Sequence, residues 1–130
     1  MELNIEIIGV LLVILSFIHV GFPKYFNWKT ELKLLSPINR QMMGVHTFFI
    51  ALMVFLIGLL CLTSASDLME TKLGNTLCIG LALFFTIRLF FQFFIYSPEL
   101  WRGKKFETTM HILFSLFWVY ASGVFIWILL

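Results

Sequence analysis

The sequence predicts an all-α integral membrane protein, a bundle of four transmembrane helices with a short interfacial amphipathic segment after the first helix. Hydrophobic residues make up 61% of the 130-residue chain and charged residues only 12%, and the mean hydropathy is +1.00. A soluble domain of this size cannot bury so much apolar surface. Four stretches of roughly 20 mostly apolar residues, the length needed to cross a bilayer, nearly fill the chain. They predict one transmembrane domain over residues 1–130.

The first predicted span covers residues 5–22. It is expected to stop at Pro23, because a proline inside a helix removes a backbone hydrogen bond. Glu2 and Glu6 stand where a signal peptide has a basic start, so we expect the span to be retained. Residues 24–35 then mix aromatic and aliphatic side chains with lysines. That mixture is typical of a segment lying in the headgroup layer.

The other three predicted spans cover residues 37–62, 73–96 and 106–130. The polar stretch 63–72 separates the second span from the third, and the basic turn 98–105 separates the third from the fourth. Small residues recur at every seventh position of the second span, which predicts close helix packing there. They are Gly44, Ala51 and Gly58.

The Lys and Arg residues of the loops predict the orientation. Seven lie on the side of the membrane that holds the loops after the first and third spans, and only Lys72 lies on the other side. The seven are Lys24, Lys29, Lys33, Arg40, Arg102, Lys104 and Lys105. By the positive-inside rule, we expect these loops in the cytoplasm and both termini on the extracytoplasmic side of the cytoplasmic (inner) membrane. The expected partner is the lipid bilayer, with a homo-oligomer or a larger membrane complex left open. We expect no nucleic-acid partner, because no binding motif or extended basic patch is present.

Three histidines are expected at a similar depth in the membrane. His19, His46 and His111 are the only ones in the chain, and each lies about 6 to 9 Å inside the cytoplasmic boundary if a helix rises 1.5 Å per residue. Imidazole is the commonest ligand for zinc, copper and iron. We therefore expect a metal ion (zinc, copper or iron) or a haem, with Glu107 as a further ligand or orienting partner. A haem would use His46 and His111.

A second group of polar residues predicts an anion clamp or cofactor-binding shell around the histidines. Arg88, Gln92 and Tyr96 recur at intervals of four on one face of the third span, and Arg40 lies at the start of the second. Charged groups within a membrane usually mark a site. Arginine also pairs with the propionates of haem or with other anions. Arg88 is therefore the strongest single indication of a binding site.

The fourth span has a matching polar stripe. Glu107, His111, Ser115, Trp118 and Ser122 recur at steps of four and three, so they share one helix face. The leading hypothesis is therefore a redox or metal-dependent membrane protein, and whether it is an enzyme stays open. The alternative is a non-catalytic membrane subunit or a small-ligand or lipid-binding protein whose polar cluster is structural. A transporter ranks third, because one such bundle is small for alternating access.

Overall fold

The structure is a computed structural model that describes residues 1–95 and 103–130. All regular structure in these residues is helical, and four of the helices are long and apolar enough to span a membrane. The described elements in chain order are α1 (Glu2–Tyr25), α2 (Trp28–Glu31), a 3-10 turn (Leu32–Leu34), α3 (Pro37–Thr63), α4 (Ala65–Glu70), α5 (Lys72–Phe94) and α6 (Lys105–Leu129). The predicted all-α, four-span fold class is confirmed.

The end of α1 differs from the prediction. The helix continues to Tyr25 with Pro23 in its last turn, because a proline there removes one backbone donor without preventing the turn from closing. Two residues after the end of α1, Asn27 has a φ of 55° and a ψ of 47°. These angles lie in the left-handed region, which asparagine adopts more readily than most residues. The helices α3 and α6 begin and end within one residue of the predicted bounds.

The chain divides into two compact units, Leu3–Ala65 and Ser66–Leu130, the second including Met1–Glu2. In the first unit, α1 and α3 approach closely at Gly9 and Gly58. A Cβ on Gly58 would lie 2.9 Å from the Gly9 carbonyl oxygen and 2.9 Å from Cγ2 of Val13. Close packing is thus confirmed at Gly58. It is not found at Gly44, where an added Cβ would meet no described atom within 4 Å.

In the second unit, the stretch predicted to be a polar loop contains α4, which packs on the first turns of α5. A Cβ on Gly74 would collide with the Asp67 carbonyl oxygen and the Leu68 backbone, so only glycine permits this approach. The Thr71 hydroxyl accepts the Gly74 backbone N–H at 2.8 Å and caps α5. The Cys78 thiol donates to the Leu68 carbonyl oxygen at 3.3 Å.

The core between α5 and α6 is centred on Phe85, which is fully buried. Its ring stacks on Trp118, with ring centroids 5.9 Å apart, and on Phe125, at 5.8 Å. Each such aromatic pair contributes about 0.5–1.5 kcal/mol beyond the burial of its surface. These contacts fix the register of the two helices. They set the polar residues of the second half of α5 beside the first half of α6.

Candidate functional site: a donor-rich layer on α5 and α6

The register of α5 and α6 brings two of the predicted site residues into contact. The amide nitrogen of Gln92 lies 2.8 Å from Nδ1 of His111, and Gln92 is 5% exposed. An amide nitrogen can only donate, so Nδ1 accepts and the neutral imidazole carries its proton on Nε2. His111 therefore presents an N–H on its other edge. To ligate a metal through Nε2, it would have to change tautomer.

Arg88 lies one helical turn before Gln92 and above the indole of Trp118. The guanidinium carbon is 5.1 Å from the ring centroid, a cation–π geometry that contributes about 2 kcal/mol when it is desolvated. Arg88 is half-buried and lies about 9 Å inside the end of α5, counting 1.5 Å per residue. Its guanidinium gives this part of the α5–α6 pair a positive charge.

Three buried polar atoms lie in a row along the side of α6 that faces α5. They are Oγ of Ser115, Nε1 of Trp118 and Oγ of Ser122, and none has a hydrogen-bond partner among the described residues. Each of these residues is less than one-tenth exposed. A buried polar group without a partner costs about 1–3 kcal/mol. Three in succession on one face therefore require an explanation.

Hydroxyls in other helices of the chain find partners within their own helix. The Ser16 hydroxyl donates to the carbonyl oxygen three residues earlier at 2.6 Å, and the Thr47 hydroxyl donates to the one four residues earlier at 2.8 Å. That is the usual way in which a transmembrane helix satisfies a serine or threonine. Ser115 and Ser122 do not follow it, so their hydroxyls can donate to a group outside α6.

The layer formed by these residues of α5 and α6 is rich in hydrogen-bond donors. The Arg88 guanidinium and the Trp118 indole N–H can only donate. The His111 tautomer set by Gln92 adds a further N–H, and a serine hydroxyl can donate as well as accept. A molecule that complements such a set offers hydrogen-bond acceptors, and Arg88 favours one that is negatively charged.

The other two histidines lie on α1 and α3. Nδ1 of His19 is 2.8 Å from the Leu15 carbonyl oxygen. A carbonyl can only accept, so Nδ1 carries the proton and Nε2 keeps its lone pair in the neutral ring. His19 is half-buried, whereas His46 is exposed. Of the three predicted metal ligands, His19 thus has the tautomer that suits coordination.

The remaining predicted site residues are less informative. Arg40 is exposed in the first turns of α3, and Glu107 is half-buried in the first turn of α6. Tyr96 lies outside the described residues. Within residues 1–95 and 103–130, no group of three or more His, Cys, Asp or Glu side chains is placed to hold a metal ion. The metal-ligand role of His19, His46, His111 and Glu107 stays a prediction.

The sequence analysis did not predict two features of the site. It places Ser115 and Ser122 in the polar stripe of the fourth span but not among the site residues, although their helical spacing from Trp118 was a usable signal. A groove of about 170 Å³ on α5 was not foreseen. It is lined by Phe84, Ile87, Arg88 and Phe91, whose spacing of three, one and three places them on one helix face.

Comparison with known proteins gives no further identification of the site. No protein-family model, curated protein or solved structure matches this chain.

Proposed function

We propose that this chain is a multi-pass membrane protein that binds a small ligand through an anionic, hydrogen-bond-accepting group in the donor-rich layer of α5 and α6. The observation that carries the proposal is the row of buried, unpartnered polar atoms on Ser115, Trp118 and Ser122, beside the charge of Arg88 over the same indole. An acceptor group on a ligand beside Arg88 would recover the hydrogen bond that Nε1 of Trp118 lacks. Such a role needs no reaction step, and it is a binding function.

The proposal includes a location. The protein lies in the cytoplasmic (inner) membrane with both termini on the extracytoplasmic side, as the distribution of Lys and Arg in its loops indicates. Gln92 and His111 then lie in the cytoplasmic half of the bilayer, because Gln92 is near the end of α5 and His111 near the start of α6. Association with a second copy or with a larger membrane complex stays a prediction, and chemical cross-linking in membranes tests it.

The second candidate is a metal ion (zinc, copper or iron) or haem bound by the histidines, with a redox or metal-dependent role. One observation favours it: the hydrogen bond from Nδ1 of His19 to the Leu15 carbonyl leaves Nε2 of His19 in the form that ligates metals. The hydrogen bond of His111 with Gln92 favours the opposite tautomer at that residue. For this reason the anion-binding proposal stands first.

The proposed function is tested by ligand-induced stabilisation in a mild non-ionic detergent. Cys61 and Cys78 are buried thiols, so a thiol-reactive fluorescent dye reports their exposure on unfolding. We expect sodium benzoate, a simple carboxylate probe, to raise the Tm by several degrees, since a ligand at 100 times its Kd stabilises the folded state by about 2.7 kcal/mol. Sodium chloride at the same ionic strength is the control for salt effects.

Two variants assign the stabilisation to the site. Arg88→Gln should abolish the benzoate-induced rise in Tm. Lys72→Gln, which removes an exposed positive charge at the other end of the same helix, should retain it. If Arg88→Gln does not fold, Trp118→Phe replaces it, because that change removes the indole N–H and keeps an aromatic ring. No rise in the native protein, or an equal rise in Arg88→Gln or Trp118→Phe, would contradict the proposal.

A further inference from the structure

The groove on α5 adds information about the rest of the ligand. It has a volume of about 170 Å³ and is lined by Phe84, Ile87, Arg88 and Phe91. The three apolar side chains are each close to half exposed, and the guanidinium is the only charged group among the lining residues. The groove belongs to a helix that is long and apolar enough to cross a membrane. Its apolar walls favour a hydrocarbon occupant.

The size and charge of the groove limit that occupant. A cavity of about 150 Å³ holds one benzene molecule, so the groove has room for a segment of one hydrocarbon chain. Arg88 lines the groove and also lies 5.1 Å from the Trp118 ring centroid. It therefore connects the apolar groove with the donor-rich layer. A planar guanidinium also matches the two oxygens of a carboxylate.

We infer that the ligand is a single-chain anionic amphiphile, a long-chain fatty carboxylate, whose head group binds at Arg88 and Trp118 and whose chain lies along Phe84, Ile87 and Phe91. This inference rests on the proposed function and names its ligand class. Such a molecule reaches the groove through the bilayer, in which it dissolves. It brings the acceptor oxygens to the donor-rich layer and covers the exposed apolar wall of α5.

Position-dependent quenching of the Trp118 fluorescence tests the inference. Trp28, Trp101 and Trp127 are each replaced by Phe, which leaves Trp118 as the only tryptophan. The probes are stearic acids with a nitroxide at carbon 5 or at carbon 16, added to the protein in a non-ionic detergent. We expect saturable quenching that is stronger for the carbon-5 probe, since its nitroxide is nearer to the bound carboxylate. The methyl ester of the carbon-5 probe, which lacks the charge, should bind about 10-fold more weakly or worse.

The same measurement separates the inference from the proposed function. Arg88→Gln in the single-tryptophan protein should weaken saturable quenching by the carbon-5 acid about 10-fold or more, and Lys72→Gln should not. Equal quenching by the acid and its ester, or stronger quenching by the carbon-16 probe, would overturn the inference. Tighter saturable quenching by a nitroxide-labelled phosphatidylglycerol would overturn it in favour of a phospholipid head group. If benzoate still stabilises the protein through Arg88 in either case, the anion-binding function stands and only the fatty carboxylate is rejected.

Discussion

Trp118 contributes to both the stability and the proposed chemistry of the α5–α6 pair. Its ring stacks on Phe85 and lies under the Arg88 guanidinium, so the indole is held by contacts on its faces. Its N–H, by contrast, has no hydrogen-bond partner among the described residues. Phenylalanine at this position would fill less volume but would carry no buried donor to satisfy. This combination is what we expect of a side chain that packs in the core and also binds a ligand.

The histidines provide a prediction for the metal or haem hypothesis. If they hold a cofactor, protein purified without a metal-binding tag carries near-stoichiometric iron, copper or zinc, and His46→Ala and His111→Ala each remove it while membrane insertion is retained. Elemental analysis measures the metal, and a Soret band distinguishes haem from a bare ion. His19→Ala is included because its tautomer suits coordination. Metal content that is unchanged in the His46 and His111 variants would contradict the hypothesis.

The sequence predicted which polar residues share a helix face, but not which of them come into contact between α5 and α6. Helical spacing was enough to place Ser115, Trp118 and Ser122 on one face of α6, because spacing within a helix depends only on its geometry. The contact of Gln92 with His111 depends on the register between two helices, which the aromatic stacking around Phe85 sets. Spacing within one helix contains no information about that register.

At the scale of elements, the connections between helices were harder to predict than the spans. Hydropathy identified all four long helices, because every backbone polar group in a membrane has to be satisfied within a helix or a closed barrel. The short helix α4 was not predicted, since three of its six residues are polar and its packing depends on the missing side chain of Gly74. The segment of α2 and the 3-10 turn has no buried residue, in agreement with a segment that contacts lipid headgroups.

The close approach of α1 and α3 predicts unequal effects of alanine at two glycines of α3. Gly58→Ala places a Cβ 2.9 Å from the Gly9 carbonyl oxygen and 3.1 Å from the Val13 backbone nitrogen, and neither backbone atom can move aside cheaply. We expect a loss of about 1–3 kcal/mol, the usual cost of overpacking. Thermal unfolding followed with the thiol-reactive dye measures it.

Gly44→Ala is the matched control for that measurement. The added Cβ there meets no described atom within 4 Å, and alanine has the higher helix propensity. Its Tm should therefore equal or exceed that of the native protein. Equal Tm values for the two variants would contradict the close approach of α1 to α3 at Gly58.

At the scale of the whole molecule, the charges of the loops predict an orientation that the helices themselves do not contain. An apolar helix crosses the bilayer equally well in either direction, so direction depends on the flanking Lys and Arg residues. Seven of these flank the loops after the first and third spans, and one flanks the opposite loop. The energetic preference is therefore concentrated on one side. The alternation of four spans predicts only that the loop after α1 and the loop after α5 share a side.

Labelling of introduced cysteines tests this orientation directly. Thr30→Cys lies in α2 and Asp67→Cys in α4, and both positions are exposed. We expect a membrane-impermeant maleimide to label Asp67→Cys in intact cells and Thr30→Cys only after the cells are permeabilised. The parent protein controls for background, because Cys61 and Cys78 are both buried. The opposite pattern would place the donor-rich layer in the outer half of the bilayer, where a fatty carboxylate would reach Arg88 from the extracytoplasmic leaflet. Labelling of both positions in intact cells would contradict a single orientation.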